Sequence, residues 1–220
     1  MNVVHMLHEG LGVVIRGVLR PLIYAAFRPK CTFVSEEAKH CFREEPCVII
    51  YNHVTVLDGA LMALHTHRNT VRMLAAKDIL DKNPALGFLC SFLWCVPIER
   101  HRFSLQWMRE SRRYLKQGYA VGIAPEGKCH HDRVMYSFKP GFAAMASTCD
   151  VKVVPVFHNG RYNYFFGKRF RMIVGEPFTL KPAPEGLEKD ELDAACRRAE
   201  DIMHDLEMRL NGCIRTGEGD

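Results

Sequence analysis

The run Cys47-Val48-Ile49-Ile50-Tyr51-Asn52-His53-Val54-Thr55-Val56-Leu57-Asp58 decides how the rest of the chain is read. Cys47 to Ile50 is short, apolar and rich in branched side chains, which is the pattern of a buried strand. Gly59-Ala60-Leu61-Met62-Ala63-Leu64 reads as a helix. Between them a histidine leaves the strand, and Asp58 follows a little over one helical turn later. Both side chains can therefore open onto the same mouth. The carboxylate can accept from one ring nitrogen and leave the other as a proton acceptor. A neutral imidazole of pKa ~6.5 is a competent base near neutral pH. Taken alone the pair is a weak signal, because a strand-to-helix Asn-His also serves as a plain capped turn.

The chain has 220 residues, 48% of them hydrophobic, enough for one large α/β domain with a substantial core. A formal charge of +5 suits an anionic surface or a phosphorylated ligand and falls short of a nucleic-acid signature. The nine cysteines, from Cys31 to Cys213, contain no C-x-x-C and read as reduced, mostly buried thiols of a cytosol-facing protein.

Upstream, residues 1–28 read as one amphipathic helix closed by Pro29. Val4, Leu7, Leu11, Val14, Val18 and Leu22 form an apolar stripe at three- and four-residue steps. Glu9, Arg16 and Arg20 interrupt it too often for a transmembrane span, and the late arginines do not fit a secretory signal. Two readings stay open: a helix lying in a lipid interface, or one packed on the protein's own core. Cys31-Thr32-Phe33-Val34 reads as an edge strand, and residues 35–45 as a polar connection.

Downstream, strands are expected at residues 70–75, 95–98, 119–124, 151–157 and 169–174. Helices are expected at 104–117, 142–148 and 187–210, with a frayed tail from Asn211. Pro155 places the 151–157 strand at an edge or a strand end. The segment Asn83 to Trp94 is unusually apolar and either fills the core or borders an acyl-chain groove. Arg100 and Arg102 follow a strand end, where the helix-dipole explanation available to Arg113 and Lys116 does not apply.

Four blocks in this order resemble the glycerolipid acyltransferases typified by 1-acylglycerol-3-phosphate O-acyltransferases. They are Asn52-His53 with Asp58 (N-H-x4-D), Pro97-Ile98-Glu99-Arg100, Pro125-Glu126-Gly127 with Lys139-Pro140-Gly141, and Val154-Pro155-Val156. The resemblance spans roughly residues 30 to 180. It implies a single domain with a mixed central sheet flanked by helices over residues 29–212; the sequence itself puts the amphipathic helix 1–28 ahead of that domain and a disordered tail at 213–220. It implies transfer of a fatty acyl group from acyl-CoA or acyl-carrier protein to the sn-2 hydroxyl of lysophosphatidate, giving phosphatidate at the cytoplasmic face of a membrane. No cofactor beyond the acyl donor is expected. A related lysolipid or amino-lipid acceptor is the alternative, and a non-catalytic lipid-binding protein the rival from another class.

On this resemblance His53 is the general base and Asp58 its orienting partner. Asn52, Arg100, Glu126, Gly127, Lys128 and Lys139 are the substrate-binding candidates, with Arg100 on the acceptor phosphate. The threonine common after Glu-Gly is here Lys128, and Cys129-His130-His131 replaces the basic and small residues that follow it. Cys129-His130-His131-Asp132 also raises zinc, but adjacent histidines diverge and no second ligand pair follows, so no metal is expected. No serine sits in a G-x-S-x-G elbow and no cysteine neighbours His53 in sequence, so direct transfer is expected. Cys129 is the one residue that can contradict this through space.

Overall fold

Cys47 to Tyr51 forms β2, and all five of its residues are buried. A strand apolar on both faces needs cover on both, and the fold supplies a helical layer on each side. The computed structural model describes residues 3–55, 57–63, 65, 71–82, 87, 90, 95–99, 106–132, 134–161, 163 and 165–215. In chain order the elements are α1 (Val3–Phe27), β1 (Lys30–Phe33), α2 (Glu36–Glu44), β2, α3 (Asp58–Ala63), β3 (Val71–Ala76) and α4 (Lys77–Lys82). They continue with β4 (Cys95–Ile98), α5 (Gln106–Lys116), β5 (Ala120–Ile123), α6 (Gly141–Cys149), β6 (Lys152–His158), β7 (Arg171–Val174) and α7 (Lys189–Arg215).

Among the described residues the strands form one seven-stranded sheet, ordered β1-β7-β6-β2-β5-β3-β4. Every pairing is parallel except β6 with β7. The mixed sheet flanked by helices is the architecture expected from the sequence. Val48, Ile50, Val121 and Val153 point toward α5, α6 and α7, where Met108, Phe142, Met145, Met203 and Leu206 complete one core. Ile49, Tyr51, Val154 and Val156 point the other way, onto Phe27, Phe42, Leu61 and Met62.

Three expectations are corrected. Residues 35–45 are not a polar connection but hold α2, since the Ser35 hydroxyl caps the helix through the Ala38 N–H and Ala38, Cys41 and Phe42 turn inward. The polar count hid a helix with a narrow buried face. Second, β6 is an interior strand between β2 and β7 despite Pro155. The β7 ladder stops at Val174, and the carbonyl of Pro155 on that side accepts from the Gly175 N–H at 2.8 Å. The missing proline donor faces this ladder gap and leaves no pairing broken. Third, the last helix does not end at Leu210, because α7 continues to Arg215. The apolar segment 83–94 lies outside the described residues apart from Gly87 and Cys90.

Along α1, Phe27 is buried while Leu11, Val14, Val18 and Leu22 are half to nearly two-thirds exposed. The described part of the stripe does not pack on the core. No helix of the described residues is long and apolar enough to cross a membrane.

Candidate active site

β2, β5 and β6 are parallel neighbours, so their carboxyl ends lie together at one edge of the sheet. Three turns meet there: Asn52–Asp58 after β2, Ala124–His130 after β5, and the end of β6 at His158. Asp58 opens α3 and is fully buried. Its Oδ2 lies 2.9 Å from His53 Nδ1 and accepts from the N–H groups of Val54 at 2.7 Å and Thr55 at 2.8 Å. Its Oδ1 accepts from the Thr55 hydroxyl at 3.3 Å. A carboxylate held by so many donors cannot swing, and it fixes the imidazole with Nδ1–H toward itself and Nε2 outward.

His53 keeps 14% of its side chain exposed. Burial alone would push its pKa down; the hydrogen bonds with Asp58 and Cys129 outweigh that and raise it from 6.5 to about 9. The Tyr51 ring meets the imidazole edge-on with centroids 6.0 Å apart.

His53 is also gripped through its backbone. Its N–H donates to Glu126 Oε1 at 2.9 Å, and its carbonyl accepts from the His130 N–H at 2.7 Å. The other oxygen of Glu126 accepts from the Tyr136 N–H at 3.0 Å. Glu126 is 4% exposed, and burial pushes its pKa up against the lowering effect of these N–H donors. Its carboxylate therefore ties the β5 turn to His53. The turn itself requires Gly127, whose φ of +79° is costly for residues with a Cβ.

Asn52 is likewise occupied by the scaffold. Its Nδ2 donates to the His158 carbonyl at 3.0 Å and its Oδ1 accepts from the His158 N–H at 2.9 Å. His158 Nδ1 accepts from the Gly160 N–H, so the neutral ring carries its proton on Nε2 and donates it to the Asn52 carbonyl at 2.6 Å. Burial lowers the pKa of His158, although Asp58, with Oδ1 3.7 Å away, opposes this.

Lys128 and Lys139 are exposed at the same turn. Lys139 donates its N–H to the Pro125 carbonyl and lays its side chain over Gly127, where a Cβ would come within 2.7 Å of Nζ. Arg100 lies outside the described residues. β4, which precedes it, ends at the same sheet edge as β2 but three strands away, about 14 Å at the usual strand spacing. Among the described residues no group of three His, Cys, Asp or Glu stands in an arrangement that could hold a metal ion.

Sequence reasoning missed His158, and it named Cys129 only as a residue able to reach the site through space. His158 follows the Val-Pro-Val block by two residues, and only the β2–β6 pairing brings it under Asp58. Cys129 is 76 positions from His53, yet its Sγ lies 3.1 Å from His53 Nε2.

A family model described as Acyltransferase matches residues 32–159. The 1-acyl-sn-glycerol-3-phosphate acyltransferase alpha of Ovis aries is 28% identical over 174 residues, covering 76% of this chain and 59% of its own. The N-acylphosphatidylethanolamine synthase of Arabidopsis thaliana is 30% identical over 157 residues, covering 60% of this chain and 55% of its own. The chain thus spans less than two thirds of the length of these curated relatives. The crystal structure of the 1-acyl-sn-glycerophosphate (LPA) acyltransferase PlsC from Thermotoga maritima superimposes with a TM-score of 0.56 at 20% identity, covering 82% of this chain and 72% of that one. At that identity the likeness speaks for the fold.

Proposed function

The chain belongs to the acyltransferase family, and from that premise we propose that it moves a fatty acyl group from a thioester donor to the free hydroxyl of lysophosphatidate. The observation that carries this reading is the His53–Asp58 contact of 2.9 Å at the carboxyl end of β2, which leaves Nε2, beside Cys129 Sγ, as the ring's proton acceptor. A hydroxyl is a far weaker acid than an imidazolium, so proton transfer to Nε2 accompanies attack of the oxygen on the thioester carbonyl. With the pKa of His53 raised to about 9, the neutral ring that accepts this proton is the minor form near neutral pH and grows as pH rises toward 9; Asp58 stabilises the imidazolium that results. Base assistance of this kind contributes about 10²–10⁴ in rate. A scaffold that had lost catalysis would have no need to hold this pair together in register.

Arg100, Lys128 and Lys139 supply the positive charge for the acceptor phosphate, Arg100 as a planar fork and the lysines as point charges. Glu126, Gly127 and Asn52 act by holding the loops in place. The exposed stripe of α1 docks on a lipid surface together with Phe165 and Phe166, 60% and 87% exposed. That loop is tied to the end of α1 by the Phe165 N–H on the Ala26 carbonyl at 2.7 Å and by Arg28 on the Gly167 carbonyl at 3.0 Å.

Incubating the purified chain with labelled lysophosphatidate and either acyl-CoA or acyl-carrier protein tests the reading: labelled phosphatidate is expected. A second acceptor class is favoured by the similarity to the N-acylphosphatidylethanolamine synthase and by Lys128 at the third block. A panel of lysolipids and amino-lipids separates the two, and activity confined to an amino-lipid acceptor would replace lysophosphatidate.

A further inference from the structure

Cys129 stands where a nucleophile would. The turn that carries it is sewn to His53 on both sides, by Glu126 on the His53 N–H and by the His130 N–H on the His53 carbonyl. These two tethers bracket Cys129 and set its Sγ at 3.1 Å from Nε2, the ring nitrogen that Asp58 does not occupy. Sulfur, imidazole and carboxylate thus form one line, with the base oriented by a third group, as an activated nucleophile requires. Burial holds the thiol of Cys31 up at about 12 and raises those of Cys149 and Cys196, whereas a hydrogen bond with Cys95 lowers that of Cys90. Cys129 is half-buried and touches a base.

We infer that Cys129 is a covalent nucleophile that carries the acyl group between donor and acceptor. The inference rests on the acyl-transfer reading and departs from direct transfer. In the first half-reaction the thiol proton passes to His53 Nε2 as sulfur attacks the donor carbonyl. The tetrahedral adduct then collapses, the donor sulfur leaves, and it takes the proton back from the imidazolium. One thioester replaces another, so the step is close to balanced in energy. In the second half-reaction the acceptor hydroxyl gives its proton to Nε2 and its oxygen attacks the acyl–Cys129 carbonyl. Cys129 leaves as the thiol, reprotonated by His53, and an oxygen ester is released. The sum is acyl thioester plus alcohol giving ester plus thiol, and no other reagent is consumed.

The test uses the full chain with palmitoyl-CoA and, in parallel, palmitoyl-carrier protein, without acceptor, quenched in acid and read by intact mass and peptide mapping. One palmitoyl group on Cys129, removed by neutral hydroxylamine, is expected, together with parallel-line kinetics when both substrates are varied. Cys129→Ala loses the adduct and the transfer activity. Cys129→Ser accumulates an oxygen-ester adduct that resists neutral hydroxylamine. Wild-type protein that transfers acyl groups without an adduct, or Cys129→Ala with undiminished transfer, overturns the inference and leaves acyl transfer standing. An adduct on Cys129 with no transfer to lysophosphatidate supports the cysteine and overturns that acceptor instead.

Discussion

The backbone N–H of His53 donates to Glu126 Oε1 at 2.9 Å, so a carboxylate from the turn after β5 sets the pose of the imidazole after β2. Removing it leaves the N–H groups of His53 and Tyr136, both part-buried, without this partner. A fully buried orphaned donor costs about 1–3 kcal/mol, an upper bound for each of these. Glu126→Ala is therefore expected to lower thermal stability markedly and to reduce kcat more than it raises KM. A change confined to KM would place Glu126 on the substrate instead.

Asn52 makes the corresponding tie to β6. Asn52→Ala strands the N–H and C=O of His158, again about 1–3 kcal/mol for each group left unpaired. Chemical denaturation is expected to show this loss whether or not a lipid is present. Unchanged stability with weakened acceptor binding would make Asn52 a substrate contact.

The charge on His53 gives a stability signature with a definite sign. Its pKa is raised from 6.5 to about 9, so the folded state favours the imidazolium. That contribution is complete below pH ~6.5 and disappears as pH rises through about 9, and it is on the order of 3 kcal/mol. The stability difference between wild type and His53→Gln is expected to be larger at pH 6 than at pH 9.5. A difference that stays flat across this window contradicts a raised pKa.

Much of the fold was legible because β2, β5 and β6 are short apolar runs whose boundaries are marked by polar turns. The His53–Asp58 contact was legible because both residues sit on one strand-to-helix turn. α2 escaped because only Ala38, Cys41 and Phe42 of its face are buried. Pro155 misled because its cost depends on which side of the strand still has a ladder. Glu126, His158 and Cys129 reach His53 or Asp58 through strand pairings that bring together positions 73 to 100 apart, and no local pattern encodes such a register. Arg100 had a clear sequence signal, but it lies outside the described residues.

Docking of α1 and the Phe165–Phe166 tip on a lipid surface predicts that Val14→Asp, Val18→Asp and Phe166→Asp reduce flotation with anionic vesicles. Exposed substitutions of this kind typically change stability by no more than about 0.5 kcal/mol, so the folded proteins are expected to melt like wild type. Flotation unaffected by all three changes contradicts the docking surface.

The most direct measurement compares initial rates of acyl transfer to lysophosphatidate for wild type, His53→Ala and Asp58→Asn at matched concentrations. The expected result is a loss of about 100-fold or more for His53→Ala, with Asp58→Asn also impaired because the imidazole loses its anchor. A His53→Ala protein that transfers acyl groups as fast as wild type would contradict the assignment of this histidine as the reaction's base.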